Sequence, residues 1–365
     1  MLSNLQVLRG VAALGVVFFH TGYKLAGDWH TEFFGVSTFF VISGFIMCFI
    51  TQKGADDFLA KRLVRIAPLY WLCTLVILVV MFGFALFDSA TWRSPLDGRP
   101  GEPLWAYVGR SLLFLPIGDK YPILNVGWSL NYEMYFYLIF AAALAISRRL
   151  APLIVVGCLV ALNHAADTVC TAAACHYLSL DYTKFFIAGI AIFYALQTFA
   201  PAAPRRTVVW IGVALIALCY GSQFVGPLWA NSVTPSIYMT LAAAAPVVIV
   251  ASALFVEYAG GAITWRPLIL IGDASYAIYL THPIVFEIMK TSNERWLQLP
   301  TPESSTTMML FYVALAGVAG VIVHLAIENP LLRLIRRKRQ PGTQTFASGN
   351  GLDAAGPHQA ASAAR

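Results

Sequence analysis

Residues 4–22 read NLQVLRGVAALGVVFFHTG: an apolar run broken by one arginine and one histidine. About 20 apolar residues cross the hydrocarbon core of a bilayer as an α-helix, so this run reads as a membrane span. An ionisable side chain at that depth costs several kcal/mol unless it has a partner or lines a cavity. Arg9 and His20 are eleven residues apart. At about 100° and about 1.5 Å per residue they return to within about 20° of one face, about 16 Å apart along the axis. An arginine that snorkels and a histidine that caps the helix end would account for either residue alone. Their shared face favours a site.

The chain repeats this character throughout. Of its 365 residues 59% are hydrophobic and 12% charged, and the mean hydropathy is +0.70. Soluble domains carry about a quarter charged residues. There is too little polar surface here to cover a water-soluble globule, so a bilayer is the expected solvent. Apolar runs mark ten spans, at 4–22, 33–51, 68–87, 128–146, 151–165, 181–199, 207–224, 236–256, 267–288 and 307–328. Segment 104–116 is too short to cross and is expected at the interface. Arg9 interrupts the first run and no small-residue cleavage site follows it, so no cleavable signal peptide is expected. No internal repeat is evident.

The net charge is +6, but the basic residues sort by membrane side and imply no nucleic-acid partner. With the N-terminus inside, the inner connections and the tail hold 15 Lys and Arg and the outer connections 7; Arg9 and Lys184 lie within spans, completing the 24. That asymmetry obeys the positive-inside rule. The expected fold is therefore all-α: a polytopic integral membrane bundle of about ten transmembrane helices with both termini cytoplasmic. Residues 1–332 form the membrane domain. Residues 333–365 form a tail, with a basic cluster at Arg333–Arg339 suited to lipid headgroups and a Gly, Ala, Ser and Pro-rich remainder expected to be disordered. Cys48, Cys73, Cys158 and Cys219 lie in apolar runs, whereas Cys170 and Cys175 share a polar connection where a disulfide would form if it faced an oxidising compartment. No zinc-type spacing occurs and no metal is expected.

Further polar residues fall at membrane depth. FLAKRLVRIAPLYW (58–71) holds Lys61, Arg62 and Arg65, a basic cluster ended by Pro68. The positive-inside rule explains it; the sharper reading is a phosphate site, since arginine forks match phosphate oxygens. In NVGWSLNYEMYFYLIF (125–140) Glu133 shares a face with Ser129 and Tyr137. In LIGDASYAIYLTHPIV (270–285) Ser275, Tyr279 and His282 share a face. Counting depth from the outer ends puts His20, Glu133 and His282 in one layer. Gly35, Ser37, Ser43 and Gly44 read as small residues for close helix packing. His324 and Glu328, four apart near the inner end of the last span, read as structural.

The segments LRGVAALGVVFFH (8–20), FFVISGF (39–45), FLAKRLVRIAPLYW (58–71), WSLNYEMYFY (128–137), GDASYAIYLTHP (272–283) and IENP (327–330) occur in this order. The chain thereby resembles the acyltransferase-3 family of bacterial membrane O-acyltransferases over residues 5 to about 333. Arginine, ten residues, then histidine is that family's hallmark. The wording LNVGWSLNYEMYFY is most similar to exopolysaccharide acetyltransferases of succinoglycan or xanthan type. The resemblance implies a multi-pass enzyme of the bacterial inner membrane that moves an acyl group, usually acetyl, from cytoplasmic acyl-CoA to a sugar hydroxyl of an exopolysaccharide or lipid-linked oligosaccharide. It implies acyl-CoA as a donor substrate with no permanently bound cofactor, and as partners membrane lipids, the saccharide acceptor and polysaccharide assembly machinery. Arg62 and Arg65 would hold the CoA phosphates, and Arg9 the pantetheine arm or a diphosphate. His20 would act either as general base or as acyl carrier. Glu133 would orient His20, and His282 would assist, with Trp128, Ser275 and Tyr279 as substrate contacts. A polysaccharide or lipid-linked sugar flippase is the rival from another class, since it too buries ionisable groups around a cavity.

Overall fold

The computed structural model describes residues 2–25, 31, 33–52, 54–87, 103–115, 121–169, 182–201, 203–230 and 235–338. These form α1 (Ser3–His20), α2 (Gly35–Thr51), α3 (Phe58–Phe87), α4 (Leu104–Leu112), α5 (Trp128–Ile146), α6 (Ala151–Val169), α7 (Thr183–Phe199), α8 (Arg206–Ala230), α9 (Pro235–Tyr258), α10 (Arg266–Asp273), α11 (Ser275–Ser292), α12 (Thr306–Val323) and α13 (Asn329–Lys338). No β-strand occurs among the described residues. Cys170, Cys175 and the tail beyond residue 338 lie outside them.

Each of the ten expected runs contains a helix. Among the described residues five helices are long and apolar enough to cross a membrane, or six if a bent pair counts as one span. Gly35–Thr51, Ala151–Ala165 and Thr183–Phe199 are apolar but shorter. The outward surface is apolar, with Val79, Trp210 and Leu218 about 70% exposed, as a lipid-facing wall requires.

Three expectations need correction. Run 267–288 is not one helix: α10 and α11 meet at 65°, and the apolar sequence runs straight through the break. Run 68–87 does not start its helix at Pro68: α3 begins at Phe58 and carries Pro68 inside it. Proline is tolerated in membrane helices where neighbouring groups satisfy the freed backbone carbonyl. The last span does not stop at 328. A π turn, His324–Glu328, carries it into α13.

α1 is central, packing against α2, α9, α10, α11 and α12. Its first turn is capped from α9: Glu257 accepts hydrogen bonds from the Ser3 and Asn4 backbone N–H at 2.6 and 3.0 Å. These are two of the donors a helix N-terminus leaves unpaired. Asn4 itself donates to the carbonyls of Ala253 and Gly261 and accepts from Ile263 N–H.

Glycines set the helix crossings. A Cβ on Gly44 would lie 2.1 Å from the Phe186 carbonyl oxygen, and one on Gly189 2.1 Å from that of Val41. α2 and α7 therefore meet backbone to backbone, which small residues permit in membranes. Gly272 meets Gln6 on α1 in the same way, and Gly320 of α12 meets Ile278 of α11.

Candidate active site

α1, α2, α3, α5 and α11 enclose a narrow cleft with a volume of about 90 Å3. Arg9, Arg62, Arg65 and Glu133 line it, with Ser129, Tyr137, Tyr276 and Tyr279. The arginines arrive for sequence reasons. Arg62 and Arg65 are three apart on α3 and so share a face, and Arg9 projects from the central helix. Arg9 donates to the Gln6 side chain at 3.2 Å and has Arg65, Glu133 and Glu328 as charged neighbours. The buried Nε of Arg62 has no hydrogen-bond partner. Three guanidinium groups around one cleft give it the charge and donors that suit an anion.

Beyond the Tyr279 wall of the cleft stand two histidines that do not line it. Tyr279 is pinned: its hydroxyl donates to the Val126 carbonyl at 3.0 Å and lies 2.7 Å from the Ser129 hydroxyl. Its ring lies 6.0 Å from that of His282, and the His282 ring 4.9 Å from that of His20. His282 is fully buried and His20 exposed. Nδ1 of His20 faces the Val16 carbonyl at 2.9 Å, and Nδ1 of His282 the Ile278 carbonyl at 3.3 Å. A carbonyl only accepts, so in neutral imidazoles Nδ1 carries the proton and Nε2 keeps a lone pair. Nε2 of His282 is buried and has no partner.

The single layer of His20, Glu133 and His282 does not form. Glu133 accepts from the Ser43 hydroxyl at 2.8 Å and from the Tyr137 hydroxyl, and it sits with the arginines rather than orienting His20. Counting depth from the start of α5 fails because α5 starts below the surface. In the 3₁₀ turn before it, Asn125–Gly127, Val126 and Gly127 are buried and Asn125 is exposed.

Of the other expected contacts, Trp128 packs on Tyr132 and Tyr182 and does not line the cleft. Ser275 is fully buried and its hydroxyl has no partner. Ser43 and Tyr276 line the cleft without having stood out in sequence. Ser43 carried only a packing signal, and Tyr276 none. His324 and Glu328 bond at 2.7 Å, and Asn329 donates to the second ring nitrogen at 3.1 Å. That closed set fits the structural reading. Among the described residues no group of three His, Cys, Asp or Glu side chains could hold a metal ion.

Comparison with known proteins identifies the family. The acyltransferase domain family matches residues 2–328. The exopolysaccharide production protein ExoZ of Rhizobium meliloti is 31% identical over 88% of this chain and 96% of its own length. The acyltransferase MdmB of Streptomyces mycarofaciens is 25% identical over 84% of this chain and 83% of its own. The O-acetyltransferase OatA of Staphylococcus aureus is 23% identical over 95% of this chain but only 58% of its own. No solved structure matches. A helical membrane protein with an arginine-lined cleft and a histidine pair, matched by this family from residue 2 to residue 328, belongs to the acyltransferase family and is an acyltransferase.

Proposed function

We propose that this protein is a multi-pass O-acetyltransferase of the bacterial inner membrane that acylates a sugar hydroxyl of an exopolysaccharide or lipid-linked oligosaccharide, with acyl-CoA as donor. The observation that carries the reading is the cleft itself: three arginines converge on it, and one aromatic layer beyond it stands a histidine pair with free Nε2 atoms. The likeness to an exopolysaccharide production protein and to an O-acetyltransferase supports the substrate class.

In this reading the chain crosses the membrane ten times with both termini cytoplasmic, residues 1–332 being the membrane domain and 333–365 a tail. The mouth beside Arg62 and Arg65 then faces the cytoplasm, where acyl-CoA is made, and those two residues hold its phosphates. Arg9 contacts the pantetheine arm, with Glu133 as its counter-charge. Glu133 is held in turn by Ser43 and Tyr137. The saccharide approaches from the side of His20, with lipids and polysaccharide assembly proteins as surroundings.

Nε2 of His20 takes the proton of the acceptor hydroxyl as its oxygen attacks the thioester carbonyl. The C–S bond breaks, CoA leaves as thiolate, and the imidazolium returns the proton to it. His282 sits behind as a second imidazole, and Tyr279, fixed by its bonds to Val126 and Ser129, forms the wall between the cleft and the histidine pair.

The test compares polysaccharide from deleted and complemented cells by NMR. An O-acetyl signal lost on deletion, restored by the wild type and not by His20→Ala, is the expected result. Polysaccharide with unchanged acetylation but impaired export would overturn the enzyme reading in favour of a flippase.

A further inference from the structure

We infer that Ser43 and Tyr137 are positioning residues: they hold Glu133 off the arginines of the cleft and so leave three guanidinium groups open to the phosphates of the donor. This rests on the acyl-CoA reading above. Glu133 lines the same narrow cleft as Arg9, Arg62 and Arg65. A carboxylate in such company is expected to pair with a guanidinium, since charge-assisted forks are the strongest bonds open to it. Glu133 does not. Its Oε1 accepts from the Ser43 hydroxyl of α2 at 2.8 Å and from the Tyr137 hydroxyl of its own helix. Among the described residues no ion pair joins it to an arginine. The arginines are nevertheless close: Glu133 is a charged neighbour of Arg9, and Arg62 and Arg65 are charged neighbours of Tyr137.

Both hydroxyls are set by the fold. Tyr137 stands one turn after Glu133 on the same face of α5, buried, with its ring edge-on to Phe58. Ser43 is buried beside Gly44, whose contact with Phe186 seats α2. Glu328, the other carboxylate near Arg9, is held in a similar way. It bonds His324, whose Nε2 accepts from Asn329, so the ring is neutral and Nδ1 donates. Both carboxylates are thus satisfied by neutral groups, and the arginines keep their charge free. Without its two hydroxyl partners Glu133 would still be charged. The nearest guanidinium would then take their place, and an incoming phosphate would have to break that pair.

The experiment uses the full chain in lipid nanodiscs and measures binding of CoA and of inorganic pyrophosphate. Ser43→Ala combined with Tyr137→Phe is expected to weaken both by about tenfold or more. Adding Glu133→Gln to that pair is expected to restore both to within about threefold of the wild type, because the amide carries no charge to compete. Glu133→Gln alone binds at least as tightly as the wild type. Unchanged binding in the hydroxyl pair overturns the inference, as does a loss that Glu133→Gln leaves in place, the result expected if Ser43 and Tyr137 only hold the walls. Weaker binding by Glu133→Gln alone also overturns it, since the carboxylate would then be a ligand contact. In these cases CoA is still bound by the wild type and the donor reading stands. If pyrophosphate follows the expected pattern but no form binds CoA, the positioning of Glu133 stands and the donor reading alone fails. If the wild type binds neither, both fail. Should the combined variant not fold, Tyr137→Phe decides, with and without Glu133→Gln: a loss that the amide restores supports the inference, and any other result overturns it.

Discussion

At the level of single residues, Arg9 and His20 stood out because hydrocarbon makes them expensive, and the structure places Arg9 in the cleft and His20 against His282. His20→Ala is expected to lower acyl transfer by about 10²–10⁴-fold, the usual contribution of a positioned acid–base group, with unchanged protein in the membrane fraction. Equal transfer by the variant would remove His20 as the base. Changing Arg62 and Arg65 together to Gln is expected to raise the donor KM by about tenfold or more, as loss of two charge-assisted phosphate contacts requires. An unchanged KM would place the phosphates elsewhere. The sequence made the costly residues visible but not their partners. Glu133 looked like a companion of His20 because its depth was counted from a helix start assumed to lie at the surface. Val126, buried beneath it, shows otherwise. Ser43 gave no sign of its bond to Glu133 because a serine among glycines reads equally well as packing.

At the level of elements, helix positions were legible because an apolar run of span length leaves few alternatives. The break between α10 and α11 was not legible: Asp273, Ala274 and Ser275 contain no proline or glycine to announce a 65° turn. The crossings were half legible. Gly44 was visible as a small residue, but its partner Gly189 lies five helices later and nothing links the two in sequence. Gly189→Leu is expected to destabilise the fold by about 3 kcal/mol or more, since a side chain there would overlap the Val41 carbonyl. Gly157→Ala on α6, where nothing lies within 4 Å, is expected to be neutral or slightly stabilising. Thermal unfolding of the detergent-solubilised variants checks both, and equal melting temperatures would discount the crossing. Glu257→Ala, which uncaps α1, is expected to cost about 1–2 kcal/mol in the same assay.

For the whole molecule, the Lys and Arg asymmetry supplied an orientation that the fold alone does not. Thr301, between α11 and α12, and Ser147, between α5 and α6, fall on opposite sides in the ten-span arrangement. In a cysteine-free background, Thr301→Cys in intact spheroplasts should react with a membrane-impermeant maleimide. Ser147→Cys should react only after permeabilisation. The reverse pattern would invert the bundle, and labelling of both from one side would break the span count. What no sequence count conveyed is that the chain before α5 descends into the bundle. Irregular backbone at such depth survives where protein surrounds it, as Tyr70 and Pro122 surround Gly127.

That descending turn brings the Val126 carbonyl to the hydroxyls of Ser129 and Tyr279, each about 3 Å from it and 2.7 Å from each other. Two hydrogens serve three contacts. Both hydroxyls can give their hydrogens to the carbonyl, or either can give its own to the other while the second bonds the carbonyl, so the triangle has three arrangements. Swapping them moves no net charge and breaks no covalent bond. In every arrangement the Val126 carbonyl keeps a partner, so the wall between arginines and histidines stays tied to the first turn of α5.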